Sequence, residues 1–317
     1  MPVTGIDRKV IVQVCLIVSD VETIARRWSE IMGWTLPNFM TTLRHDVTKA
    51  THFGKPTNAR IKMLLFNVGQ IQFEVMQPLD EDSTWHDFHS KHGDGIHHVA
   101  FFVPQTAPAA ESFAQHGYVI TQQGLFDNQG GMYTYLDTEK DLGVVIELLE
   151  VYGGTPAFQA PPFDPQKGIG TDVVVQVGMI VHDIEKTAQR YAEVLGLPAT
   201  GIMVTPGYEQ VKTTFRGQPS EATAKLAFFD AGQVQLELIQ PDEKPSVWRE
   251  FLESHGEGAH HVAFRVANTQ RAVDHLAQYG ITVSQQGLYT DHSGIYTYMD
   301  SQEMLGTTLE LLENFAR

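Results

Sequence analysis

The feature that most constrains this chain is that it is written twice. Gly93-Asp94-Gly95-Ile96-His97-His98-Val99-Ala100-Phe101 returns as Gly256-Glu257-Gly258-Ala259-His260-His261-Val262-Ala263-Phe264, with His98 and His261 163 positions apart. The same offset relates Val10–Val18 to Val173–Val181, Gln122–Leu125 to Gln285–Leu288 and Tyr133–Asp137 to Tyr296–Asp300. A repeat this long, without net insertion, predicts one structural unit built twice, with its chemistry in duplicate. Between the copies, the Gly- and Pro-rich stretch 151–171 reads as a linker, dividing the chain into 1–150, 151–171 and 172–317.

Each half follows one plan. The β-branched run at 10–18 predicts a strand. Ser19 to Met32 places Val21, Ile24, Ala25, Trp28 and Ile31 on one helical face. Ser19 with Glu22 has the form of a capping box, while Asp20 and Asp183 are caps common to both copies; Gly33 closes the helix. After a variable stretch (35–57, matching 198–220), strands at 59–66 and 70–77 follow, then a short helix around Trp85 and Phe88. The double-His strand, a helix near 107–116 and strands near 118–121, 131–137 and 143–150 complete the half. The plan is βαβββ twice per half: four modules, an α+β protein.

Polar residues stand out where these strands should be buried. In strand 70–77, Ile71, Phe73 and Val75 alternate with Gln72, Glu74 and Met76, and Glu237 holds the position of Glu74 in the second half. Glu147 sits among Val144, Val145, Ile146, Leu148 and Leu149, and Glu310 among Thr308, Leu309, Leu311 and Leu312. An unpaired carboxylate in such a run costs several kcal/mol (on the order of a polar group's desolvation) or stays protonated, and a cation removes that penalty. Gln13 is the only polar side chain between Lys9 and Ser19. The set Gln13, Glu74, His98 and Glu147 recurs with identical spacing as Gln176, Glu237, His261 and Glu310. Two carboxylates, an amide oxygen and an imidazole form a donor set for a divalent ion. Singly, each residue reads as readily as a hydrogen-bonded core group; together, on separate strands, they point to a common centre. Strand alternation puts His97 and His260 on the opposite face, as structural groups. Cys15, in an apolar run opposite Gly178, reads as a buried inert thiol, and His45, His52, His86, His89 and His92 as surface residues.

At these residues the chain resembles the vicinal oxygen chelate superfamily, which includes glyoxalase I, methylmalonyl-CoA epimerase, extradiol dioxygenases and bleomycin-resistance proteins. Gly256–Phe264 and Gly306–Glu313 carry the likeness, and Trp248-Arg249-Glu250-Phe251-Leu252 is closest to the epimerase branch. The resemblance implies two tandem domains with curved, half-open mixed sheets. It puts metal ligands on Gln13, Glu74, His98 and Glu147 and on Gln176, Glu237, His261 and Glu310, for Zn, Ni, Co, Mn, Fe or Mg. Most epimerases have His at the first position; some glyoxalase I enzymes have Gln there, as both halves do here. The implied activity is that of a metal-dependent isomerase, epimerase or lyase working through a stabilised enolate on a small substrate with vicinal oxygens. Glu147 and Glu310 are the implied bases, with Glu221 a further candidate in the second half, where the first has Asn58. Tyr133, Tyr135, Tyr296 and Tyr298 are implied pocket residues. Two alternatives remain: a ring-cleaving dioxygenase, whose two-His pattern neither half matches, and a ligand-sequestering protein of the bleomycin-resistance type.

Composition narrows the partners. A net charge of −16, from 22 basic against 38 acidic residues, works against nucleic acid and anionic membranes. No apolar run approaches the ~20 residues of a membrane helix. The single cysteine excludes intrachain disulfides and makes a cytoplasmic setting the expectation. A small-molecule substrate and, as assembly, a homodimer are the expected partners.

Overall fold

The computed structural model describes residues 1–6, 9–154 and 159–316; residues 155–158 of the expected linker lie outside them. Each half forms its own mixed sheet. In the first, the order runs Met40–Thr41, Ile61–Val68, Ile71–Pro78, Ile11–Ile17, Gly95–Phe102, Val145–Val151, Gly131–Leu136, Ile120–Leu125, then the hairpin Thr51–His52/Lys55–Pro56, ten strands in all. The second sheet repeats this order from Ile202–Val204 to Gln218–Pro219. Eight strands per half are the four expected βαβββ modules. The hairpin adds two, paired to Ile120–Leu125 in the first half and to Val283–Leu288 in the second. The stretches expected to diverge, 35–57 and 198–220, therefore differ in sequence but share one set of short elements.

The first helix, Val21–Met32, begins at Asp20, whose carboxylate accepts from the Thr23 amide, and ends at Gly33 in the left-handed conformation (φ 72°). Asp183 caps Ile184–Val194 in the same way. The Ser19–Glu22 capping box does not form, because the Ser19 amide is already held by Asp94 at 2.7 Å. The apolar faces of these helices and one face of both sheets merge into a single core containing Trp28, Phe73, Phe101, Tyr191, Phe229 and Phe264.

Equivalent groups cross the junction in both directions. Trp28 Nε1 donates to the Leu305 carbonyl (2.9 Å), and Tyr191, at the matching position, donates its hydroxyl to the Leu142 carbonyl (2.7 Å). Gln70 donates to the Val174 carbonyl and Gln233 to that of Ile11. The end of the linker is not a free tether, since Ile169 is buried in the shared core. Sheet faces turned away from this core carry separate small clusters around Trp85 and Tyr135 and around Trp248 and Tyr298, with a further one of Val12, Ala100 and Leu149 in the first half. No helix among the described residues is long and apolar enough to cross a membrane.

Candidate metal centres

The four central strands of each sheet are neighbours, and each turns a candidate ligand onto the face away from the core. In the first half these are Glu74, Gln13, His98 and Glu147, from Ile71–Pro78, Ile11–Ile17, Gly95–Phe102 and Val145–Val151 in spatial order. Cys15 pairs with both Glu74 and His98, and Glu147 lies beside Ala100, so register brings the four to one level. His98 Nε2 lies 3.0 Å from Glu147, 3.3 Å from Glu74 and 3.4 Å from Gln13 Oε1. In the second half His261 Nε2 lies 3.2 Å from Glu310 and 3.5 Å from Glu237. Gln176 is equally buried and donates its amide N–H to Gln235 Oε1 (2.9 Å), leaving its own oxygen available.

These atoms are close without pairing well. Oε2 of Glu147, Glu237 and Glu310 and Nε2 of His261 are buried without a properly oriented hydrogen-bond partner. Burial alone would hold each imidazole neutral, but the adjacent carboxylates outweigh it and lift His98 and His261 to about 9. Burial also raises Glu147 against the pull of His98, and pushes Glu237 up to about 6. The buried carboxylates of each cage thus favour a positive charge beside them. A divalent ion would supply the same compensation with a neutral imidazole, and the inward lone pairs fit one.

The expectation that His97 and His260 face away is overturned. Opposite Cys15–Leu16 stand His98 and Ile96, so His97 is the extra residue of a β-bulge; His260 is bulged identically opposite Gly178–Met179. A bulge interrupts strand alternation and brings neighbouring side chains to one side. His97 Nδ1 consequently lies 2.8 Å from His98 Nδ1, and His260 Nδ1 lies 3.1 Å from His261 Nδ1. Burial, reinforced by the adjacent His, drives His97 and His260 well below the usual imidazole range, so they accept while the cage imidazoles donate. Nothing in a His-His doublet announces a bulge.

Tyr135 and Tyr298 pair in register with Glu147 and Glu310, and their rings lie 5.0 and 5.1 Å from those of His98 and His261. Tyr133 lines the first cleft, a cavity of about 440 Å³ that also exposes Gln13, Glu74, Glu147, Trp85 and Phe126. Tyr296 packs beside Trp248 and shares a hydrogen bond with Thr213 (3.1 Å). Glu221 is exposed, and its carboxylate accepts from the Tyr208 amide at the start of a short helix. Asn58 does the same for His45, so the position is a helix cap in both halves. Cys15 is buried with its thiol held protonated by burial, yet it stands in the first cage, within 4.8 Å of donor atoms of Glu74 and His98. The helix and loop histidines are partly buried rather than surface groups; His52 meets Asp82 and Asp87, and His92 meets Glu139.

The family model for the glyoxalase/bleomycin resistance protein/dioxygenase superfamily matches residues 12–135 and 175–298. The chain belongs to this superfamily. Over its full length it resembles a mutant of 4-hydroxymandelate synthase from Streptomyces coelicolor (16% identity, TM-score 0.61, covering 98% of this chain and 94% of that one). It also resembles BphC, a halotolerant catechol dioxygenase (14% identity, TM-score 0.51, covering 97% and 87%). Both likenesses concern the fold. The uncharacterized protein YqjC of Bacillus subtilis (strain 168) is 27% identical over 95 residues, 30% of this chain and 68% of that protein. Superfamily members are generally metal-dependent enzymes.

Proposed function

We propose that this protein is a divalent-metal-dependent isomerase, epimerase or lyase that moves a proton on a small substrate with two vicinal oxygens, with one site in each of the working domains 1–150 and 172–317. The observation that carries this reading is the pair of buried cages, each with two carboxylates gathered on one imidazole, joined in the first half by the Gln13 amide oxygen. Gln13, Glu74, His98 and Glu147, and Gln176, Glu237, His261 and Glu310, would hold the ion. When bound, it would supply Lewis acidity that acidifies the C–H beside a substrate carbonyl.

The residues supply the rest. Glu147 and Glu310, on the strands bordering their clefts, take the proton and return it; burial raises the affinity of Glu147 for it. His97 and His260 hold the cage imidazoles with Nε2 turned inward. Tyr135 and Tyr298, with Trp85 and Trp248, wall the sites from water. A donor set with one imidazole and two carboxylates favours this chemistry over iron-dependent ring cleavage, which uses two imidazoles and one carboxylate. The single buried thiol is in keeping with a cytoplasmic setting.

The test is solvent deuterium wash-in at the carbon next to a carbonyl of 2-oxo, 2-hydroxy and acyl-thioester compounds, with protein whose metal content is fixed by elemental analysis. Glu147→Gln combined with Glu310→Gln should cut exchange by roughly 10²–10⁴-fold, the usual worth of a general base. Unchanged exchange in the double variant removes the assigned bases. Failure to take up any divalent ion removes the whole reading.

A further inference from the structure

The two cages match, but the walls that approach them do not. Phe102, Phe126 and Val151 line the first cleft together with Glu147. The two phenyl rings pack on an apolar cluster of Val12, Ala100 and Leu149. At the matching positions the second half has Arg265, Tyr289 and Asn314. The backbones superimpose in role: Phe126 lies over Gly131, and Tyr289 over Gly294, where in each case a Cβ would collide with the ring. Tyr289 thus brings a hydroxyl to the place where the first cleft has bare phenyl. Burial, with the charge of Glu310, raises that phenol to about 12, so it stays a donor at neutral pH. Arg265 is exposed at the end of Gly258–Arg265, and its Nη1 donates to Asn314 Oδ1 at 2.7 Å. Among the described residues it forms no ion pair with a carboxylate, and its side chain reaches the Tyr289 hydroxyl, which also feels the charges of Glu310 and Glu237.

On the reading that each cage holds a metal ion, we infer that the two clefts serve different substrates: the first an apolar acyl or aryl tail, the second a tail ending in a carboxylate that Arg265 and Tyr289 receive. A guanidinium fork and a phenolic O–H are the donors a carboxylate needs. The same carboxylate against Phe102, Phe126 and Val151 would lose its water without replacement. A phenyl tail finds the rings of Phe102 and Phe126 in the first cleft, where the second has Arg265 and Tyr289.

Two chelating hydroxamates with different tails separate the sites: benzohydroxamate and succinic monohydroxamate, titrated calorimetrically into protein loaded with manganese(II). Benzohydroxamate should fill one site and the carboxylated probe the other. Arg265→Met, an exposed change, should weaken the carboxylated probe at least tenfold and leave benzohydroxamate unchanged; Phe102→Arg should let the first site accept the carboxylated probe. Two bound manganese ions with no tail preference, or an unaltered carboxylated-probe affinity in Arg265→Met, overturns the division of substrates alone. No manganese uptake by the wild type overturns the metal reading and this inference with it.

Discussion

The first and second cages hold the same four donors, yet what stands behind the imidazole differs. In the first, Cys15 fills the space beside His98, its sulfur 3.0 Å from Met76 Sδ. In the second, that position is Gly178, and a Cβ there would overlap the His261 ring. The two rings therefore rest against different floors while keeping similar distances to their carboxylates, 3.0 and 3.3 Å against 3.2 and 3.5 Å. The donor geometry has been held while both floor and rim changed. A cage tolerates little variation because its charges are buried, whereas the walls answer only to packing and to the substrate.

The largest expected effect treats the cages as equal. Each cage imidazole has a folded-state pKa of about 9, above the ~6.5 of an unfolded chain. The stabilisation it brings is fully present below pH ~6.5 and is lost as pH rises through about 9, on the order of 3 kcal/mol per cage. Metal-free protein should therefore melt at falling temperature between these pH values, and metal-loaded protein should not. A change of one proton rather than two, read from potentiometric titration, would show that only one cage behaves this way.

Exchanging the floors probes the difference directly. Gly178→Cys should destabilise the protein by about 1–3 kcal/mol through overpacking against His261, measured by urea unfolding. A neutral result would mean that the His261 ring moves freely and that the floors are interchangeable. Smaller and confined to one half, His97→Phe should lower metal affinity of the first site by about 10–100-fold through loss of the acceptor at His98 Nδ1. His97→Gln should restore part of it, and competition with a chelator reads both. An equal loss at both sites would contradict independent cages. The smallest effect concerns the junction: Tyr191→Phe should cost about 1 kcal/mol for one hydrogen bond, with the Leu142 carbonyl left to find water.

Much of this was legible in the residues. The repeat gave the duplication, strand alternation put Glu74 on the face it occupies, the apolar run around Glu147 marked it as out of place, and matched spacing grouped the four donors. The bulge was hidden, because it arises from the register between two strands that the identity of His97 does not encode. The role of Glu221 came from the resemblance alone; in the structure it accepts from the Tyr208 amide, as its counterpart Asn58 accepts from that of His45. Phe102 against Arg265 and Phe126 against Tyr289 could be seen by aligning the halves, but only the placement of Phe126 beside Glu147 gave those exchanges a meaning. Cys15 read correctly as buried, and its closeness to the cage needed the pairing of Ile11–Ile17 with both flanking strands.

The reciprocal bonds from Trp28 to Leu305 and from Tyr191 to Leu142 are those of a twofold dimer closed within one polypeptide. In a dimer of identical subunits any substitution is stamped on both active surfaces at once. Joining the subunits lifts that obligation, so Trp28 can have Tyr191 as its counterpart, and one mouth can acquire an arginine while its sibling keeps a phenylalanine.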